Sequence, residues 1–112
     1  MNETLYLPIK GEWLQLILAG IKNEEYRKKS DYWRARLFNK DGSKKQFKYL
    51  CFHNYKTAWW FKNNGLRSGK GNRQWGAPDE EVFIISIGDF LEESTHSKKT
   101  YAYVHRQSKH KN

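Results

Sequence analysis

The sequence predicts an α+β domain, a small curved sheet or open barrel with one or two helices. Three observations lead there. The 112-residue chain matches the length of one domain with a single modest core. Its apolar segments run in the order strand, helix, then mostly strands, with no internal repeat. Its core material is aromatic: hydrophobic residues are only 38%, yet five Trp, seven Tyr and six Phe make up 16% of the chain. Large rings bury enough area to offset the low aliphatic content, so the composition reads as globular.

The elements follow in order. Leu5 to Ile9 is a short apolar opening strand, with Pro8 suited to an edge or an end. Lys10 to Ala19 has helical spacing: Trp13 with Ile17, and Leu14 with Leu18, form an apolar stripe. Gly20 stands where helices end in a left-handed residue. Glu24 to Lys28 reads as extended, with Glu25 and Arg27 on one face and Glu24, Tyr26 and Lys28 on the other. Ser30-Asp31 is a helix start leading into Tyr32 to Phe38, although Trp33, Ala35 and Leu37 also alternate as a strand would. Asn39 to Lys45 contains Asp41-Gly42 and reads as a turn.

Phe47 to His53 is an aromatic-rich strand, and Thr57 to Lys62 is a candidate for another. Asn63 to Glu80, with four glycines, reads as a long irregular loop. Glu81 to Ile87 is the best strand, its run Val82 to Ile85 suggesting burial on both faces. Thr100 to Arg106 alternates and offers a last strand.

Charge narrows the partners. The formal net charge is +9, which favours anions, with nucleic acid ahead of the bland alternative of a solubility device. No acidic residue follows Glu93, so residues 94–112 read as a basic tail on a domain spanning residues 1–93. No apolar segment reaches bilayer-spanning length, and the N-terminus lacks a signal-peptide pattern. The lone Cys51 permits no internal disulfide and reads as a small buried residue. His96, His105 and His110 lack metal spacing, so neither metal nor other cofactor is expected. A reducing, cytoplasmic location is the corresponding expectation, with no membrane partner.

The helix-to-strand corner carries the chemistry. A lysine (Lys22), a carboxylate (Glu25) and a guanidinium (Arg27) gather within eight residues of Gly20. Such a set can hold a polar, partly anionic ligand. The plainer reading is a surface ion pair of little energetic value. Of the adjacent Trp59 and Trp60, one faces the core and the other is free to serve as a stacking platform. Trp13 and Trp33 read as packing residues. Arg67, Lys70 and Arg73 lie in a glycine-rich basic stretch that suits a nucleic-acid backbone or a plain surface loop; it is not a Walker motif.

This corner resembles the signature of the ASCH family, an apolar helix running into Gly-x-Lys-x-x-Glu-x-Arg, here Gly20, Lys22, Glu25 and Arg27. Leu7-Pro8-Ile9-Lys10 is similar to that family's first strand. Phe52-His53-Asn54-Tyr55 resembles its strand ending in an Asn-Gly-Tyr-like element, here without the glycine. Trp75-Gly76-Ala77-Pro78 with Glu81 to Gly88 resembles the last strand of short phage and bacterial members. The resemblance spans Leu5 to Leu91. It implies a PUA-like β-barrel whose signature residues line a cleft for RNA or a modified nucleotide; single-stranded DNA stays open as an alternative partner. Lys22 would meet a phosphate or a base edge, Glu25 and Arg27 would form the floor, and Asn54, Tyr55 and Trp75 would complete the rim; Tyr26 is a further candidate for nucleic-acid contact. Some short members resemble amidohydrolases of N4-acetylcytidine, using a lysine, a threonine and a later glutamate. Lys22 matches the lysine, Glu25 occupies the threonine position, and Glu80 or Glu81 is the candidate for the last. A metal-free ribonuclease would have to rely on Lys22, Arg27 or Tyr26. A third reading gives the basic tail an acidic protein partner.

Overall fold

The computed structural model describes residues 3–54 and 56–95. Among the described residues five strands and two helices follow in the order β1 (Thr4–Pro8), α1 (Gly11–Leu18), β2 (Glu24–Arg27), α2 (Asp31–Leu37), β3 (Tyr49–His53), β4 (Thr57–Lys70) and β5 (Glu81–Thr95), with a 3-10 turn at Arg73–Trp75. The strands form one sheet in the order β1-β3-β4-β5-β2. Among the described strands only β1 and β3 pair in parallel; the other pairs are antiparallel. The sheet curls into a half-barrel. Its two edge strands come close enough for Arg27 Nη2 on β2 to donate to the Pro8 carbonyl on β1 at 2.7 Å.

The concave side holds the core. Leu5, Leu7, Leu50, Phe52, Trp59, Phe61, Phe83 and Ile85 are buried there against Leu14 and Ile17 of α1 and Leu37 of α2. Period-2 alternation puts successive strand residues on opposite faces, so Trp59 joins this core while Trp60 lies on the other face with its ring edge-on to Tyr6, centroids 5.9 Å apart. Of the helix stripe, Leu14 and Ile17 face inward and Leu18 is exposed. Ser30 caps α2 through its Oγ, which accepts from the Trp33 amide at 3.3 Å, so the helical reading of that segment holds. Arg34 and Arg36 in the last turn complement the helix dipole. Cys51 is fully buried, and burial pushes its thiol up to about 12.

One reading is corrected. Residues 63–70, taken as part of a long loop, continue β4 and pair with β5: Leu66 opposes Ile85, Arg67 opposes Ile84, and Gly69 opposes Val82. Three register shifts between Trp60 and Leu66 absorb the polar Asn63-Asn64-Gly65 stretch and break the alternation that would have marked a strand. Beyond Asn63 this part of β4 pairs with β5 alone, and an edge segment tolerates polar and glycine residues. Arg67 and Lys70 are therefore strand residues. β5 likewise runs past Ile87, to Thr95. Tyr55, the 100–106 strand and the tail from residue 96 lie outside the described residues. Among the described residues no helix is long and apolar enough to cross a membrane.

Candidate functional site

The site begins where α1 ends. The amides of Ile21 and Lys22 both donate to the Leu16 carbonyl, at 2.9 and 3.0 Å, and Gly20 takes φ 76° to make the turn. This tight exit sends Lys22 inward instead of into solvent. The Asn23 carbonyl then accepts from the Ile87 amide at 2.9 Å and starts the pairing of β2 with β5.

Lys22 is the least expected feature: a lysine with 2% exposure. Its Nζ donates to the Trp75 carbonyl at 2.6 Å and pairs with Glu25 Oε1 at 3.1 Å. It also lies 4.6 Å from the Tyr26 ring centre and 5.6 Å from that of Trp13, within cation–π range. Burial holds its ammonium below the ordinary lysine value, and the Glu25 charge only partly opposes this. Glu25 uses its other oxygen, Oε2, to accept from Arg27 Nη1 at 2.5 Å. Arg27 donates further to the Tyr26 carbonyl at 2.8 Å, and its guanidinium lies 5.0 Å from the Trp33 ring centre. One carboxylate thus bridges two cations, leaving one net positive charge. A partnered, hydrogen-bonded set of this kind is the condition under which charges persist in an interior.

The lowered Lys22 value has a sign. Between its folded value and 10.5 the unfolded chain holds a proton that the folded chain has released, so stability attributable to Lys22 rises with pH across that window. The stability of wild type minus that of Lys22→Met, from denaturant midpoints, is expected to increase from neutral pH toward 10.5. A difference that stays flat or falls would mean that burial does not dominate at this lysine.

A second segment closes the site. The Tyr26 hydroxyl donates to Glu24 Oε1 at 2.8 Å and accepts from the Asn72 amide at 2.9 Å. Burial, reinforced by Glu24 and opposed by the Asn72 amide, pushes that hydroxyl up to about 12. Asn72 in turn caps the 3-10 turn, accepting from the Gln74 amide at 2.8 Å. Gly71 passes so close to Tyr26 that a Cβ there would sit 2.7 Å from Cζ of its ring. Gly76 takes φ 99°, and a Cβ on it would lie 3.0 Å from the Trp13 indole. Backbone approach of this kind requires glycine. The result is a cleft of about 280 Å³. Trp13, Tyr26 and Trp75 supply its rings, Glu25, Arg27 and Lys10 its charges, and Pro8 and Gly76 complete the wall. A neighbouring cavity of about 330 Å³ shares Tyr26, Arg27 and Gly76 and adds Lys28, Pro78, Glu80 and Val82.

The structure brings together five sequence-derived candidates: Lys22, Glu25, Tyr26, Arg27 and Trp75. Lys22 supports the cleft from behind and is not among its lining residues. Arg67 reaches the site only through Glu24, pairing with it at 2.6 Å while also donating to Ser86 Oγ. Burial would raise the Glu24 carboxyl, but the hydrogen bonds from Arg67 and Tyr26 hold it below its usual value. Lys70 pairs with Asp79 on the surface at 3.5 Å, and Arg73 is exposed. Asn54 is not on the cleft; its Oδ1 accepts from the amides of Lys56 and Thr57, both at 2.9 Å, and turns β3 into β4. Glu80 lines the neighbouring cavity, whereas Glu81 pairs with Lys29. Sequence reasoning missed Lys10, Trp13 and Gly76. The three-residue spacing of Lys10 and Trp13 was the available signal for a shared side. Among the described residues no cluster of His, Cys, Asp and Glu could hold a metal ion.

No protein-family model matches the chain, and no curated protein or solved structure does either.

Proposed function

We propose that this chain is an ASCH-type domain with a PUA-like fold, and that its cleft receives one base of an RNA, or a modified nucleotide. The observation that carries the reading is the pairing of a Glu25–Arg27 floor, backed by the buried Lys22, with three aromatic residues in one small cleft. Aromatic faces stack an extruded base, and a fixed carboxylate and guanidinium read its hydrogen-bonding edge. The cleft volume falls just below the roughly 300–1,000 Å³ common for ligand sites, which suits a single ring system. In this reading Arg27 and Lys10 face the ligand, while Lys22 holds Glu25 and the Trp75 carbonyl in place.

The test is a titration of the four ribonucleoside 5′-monophosphates and a mixed-sequence RNA against wild type and Trp75→Ala. Stacking on one ring is worth about 1–3 kcal/mol per base. Trp75→Ala is therefore expected to weaken binding roughly 5- to 150-fold. Equal affinities in the two proteins would sink the cleft as the binding site.

A second reading, hydrolysis of an acylated base, draws on the lowered Lys22 ammonium beside a carboxylate. Its weakness is access, because the Lys22 side chain is 1% exposed and already engaged by two partners. Product formed from N4-acetylcytidine by wild type and lost in Lys22→Ala would favour this reading; intact substrate would leave recognition without chemistry.

A further inference from the structure

A larger cavity than the cleft lies away from it, along α2. It measures about 680 Å³ and is lined by Arg34, Lys40 and Lys45 with Asp31, Phe38 and Asn39 among its other residues. Three cations against one carboxylate make it a positive groove. Some other surface cations are already compensated. Lys29, Arg67 and Lys70 are each paired with a carboxylate. Among the described residues, Arg34, Lys40 and Lys45 have no ion pair, and Arg34 packs over the Phe83 ring at 5.4 Å. Their charge is available to an outside anion.

The groove connects to the cleft through named residues. The cleft and its 330 Å³ neighbour share Tyr26, Arg27 and Gly76. That neighbour is bounded by Lys28, which also has no ion pair among the described residues. The next residue, Lys29, lies 5.7 Å from the centre of the Phe83 ring over which Arg34 also packs. Arg27, Lys28, Arg34, Lys40 and Lys45 therefore give a broken line of cations between cleft and groove, interrupted by Glu80 in the 330 Å³ cavity, by the Lys29–Glu81 pair and by Asp31 in the groove. We propose that this line is the track for the phosphate backbone of single-stranded RNA whose base enters the Trp13–Trp75 cleft. The proposal rests on the base-recognition reading and extends it from one nucleotide to a strand. Backbone contacts of this kind position a strand without reading its sequence, and each neutralised phosphate adds to the salt dependence.

The experiment compares wild type with the triple variant Arg34→Gln/Lys40→Gln/Lys45→Gln, and with a control, Lys56→Gln/Lys62→Gln, on exposed positions outside the groove. Each is titrated with ribonucleoside 5′-monophosphates and with a mixed-sequence RNA oligomer at several salt concentrations. For single strands each phosphate contact contributes about −0.7 to the slope of log K against log salt, so the triple variant is expected to have a slope shallower by about two. Its mononucleotide affinity is expected to match wild type, and the control is expected to leave the slope nearly unchanged. An unchanged slope in the triple variant, or an equal loss in the control, overturns the track. Oligomer binding no tighter than that of a mononucleotide also overturns it, while leaving the cleft reading standing. Salt-sensitive oligomer binding that the triple variant loses, with no mononucleotide binding in any protein, keeps the track and removes the cleft reading.

Discussion

Glu25→Ala is expected to destabilise the domain by about 3–5 kcal/mol, the cost of leaving buried cations without their partner. Both carboxylate oxygens are used: Oε1 faces Lys22 and Oε2 faces Arg27. The Glu25 side chain is 9% exposed and that of Lys22 1%, so water does little to compensate either. Removing the carboxylate strands an ammonium against two rings and one carbonyl. In a domain of this size the loss corresponds to a fall in Tm on the order of 15 °C. Lys22→Met is expected to cost less, because methionine fills a similar space without a charge to desolvate, and Glu25 keeps Arg27. Thermal melts of the two variants side by side decide the matter. A Glu25→Ala cost under about 1 kcal/mol would place the pair among the solvent-screened surface bridges.

Gly71→Ala is the second large effect, and it acts through shape alone. Gly71 does not take a positive φ, so alanine fits the backbone there. Its methyl, however, would lie 2.7 Å from Cζ of Tyr26 and 2.8 Å from the Ala77 Cβ. Neither neighbour has an easy retreat: the Tyr26 hydroxyl is held by Glu24 and Asn72, and Ala77 is buried. Overpacking of this kind costs about 1–3 kcal/mol. Relief requires the segment from 71 to 77 to move off β2, and that segment carries the Trp75 carbonyl that holds Lys22. Gly71→Ala is therefore expected to lower ligand affinity as well as the denaturation midpoint. A variant with wild-type stability and affinity would show that the close contact yields without disturbing the cleft.

These effects separate what the sequence discloses from what it conceals. The corner from Gly20 to Arg27 is legible because each step has a local signal: a helical stripe, a glycine exit, and an alternating Glu-Tyr-Arg strand. The Ser30 cap is legible for the same reason. The second half of β4 is not, because its register shifts break the period of two just where glycines and asparagines imitate a loop. The role of Trp75 is half-hidden. Its ring marks it as a candidate, but the contact that binds it to the site is its carbonyl, which every residue carries. The burial of Lys22 runs against the ordinary behaviour of lysine, and only the tight exit from α1 accounts for it. Trp13 reads as a packing residue along the helix, and it becomes a cleft wall only once Gly76, more than sixty residues later, is laid against it. Long-range placement of this kind has no local signature.

Tryptophan indole N–H signals in an NMR titration with cytidine and adenosine 5′-monophosphates report whether the Trp13–Trp75 cleft takes a nucleobase. Trp13 and Trp75 line the cleft, Trp59 is buried in the core, and Trp60 lies on the opposite face of the sheet from Trp59. Saturable shifts are expected at Trp13 and Trp75, with Trp59 and Trp60 unmoved. Shifts confined to Trp60, or none at any indole up to millimolar nucleotide, would contradict base binding there.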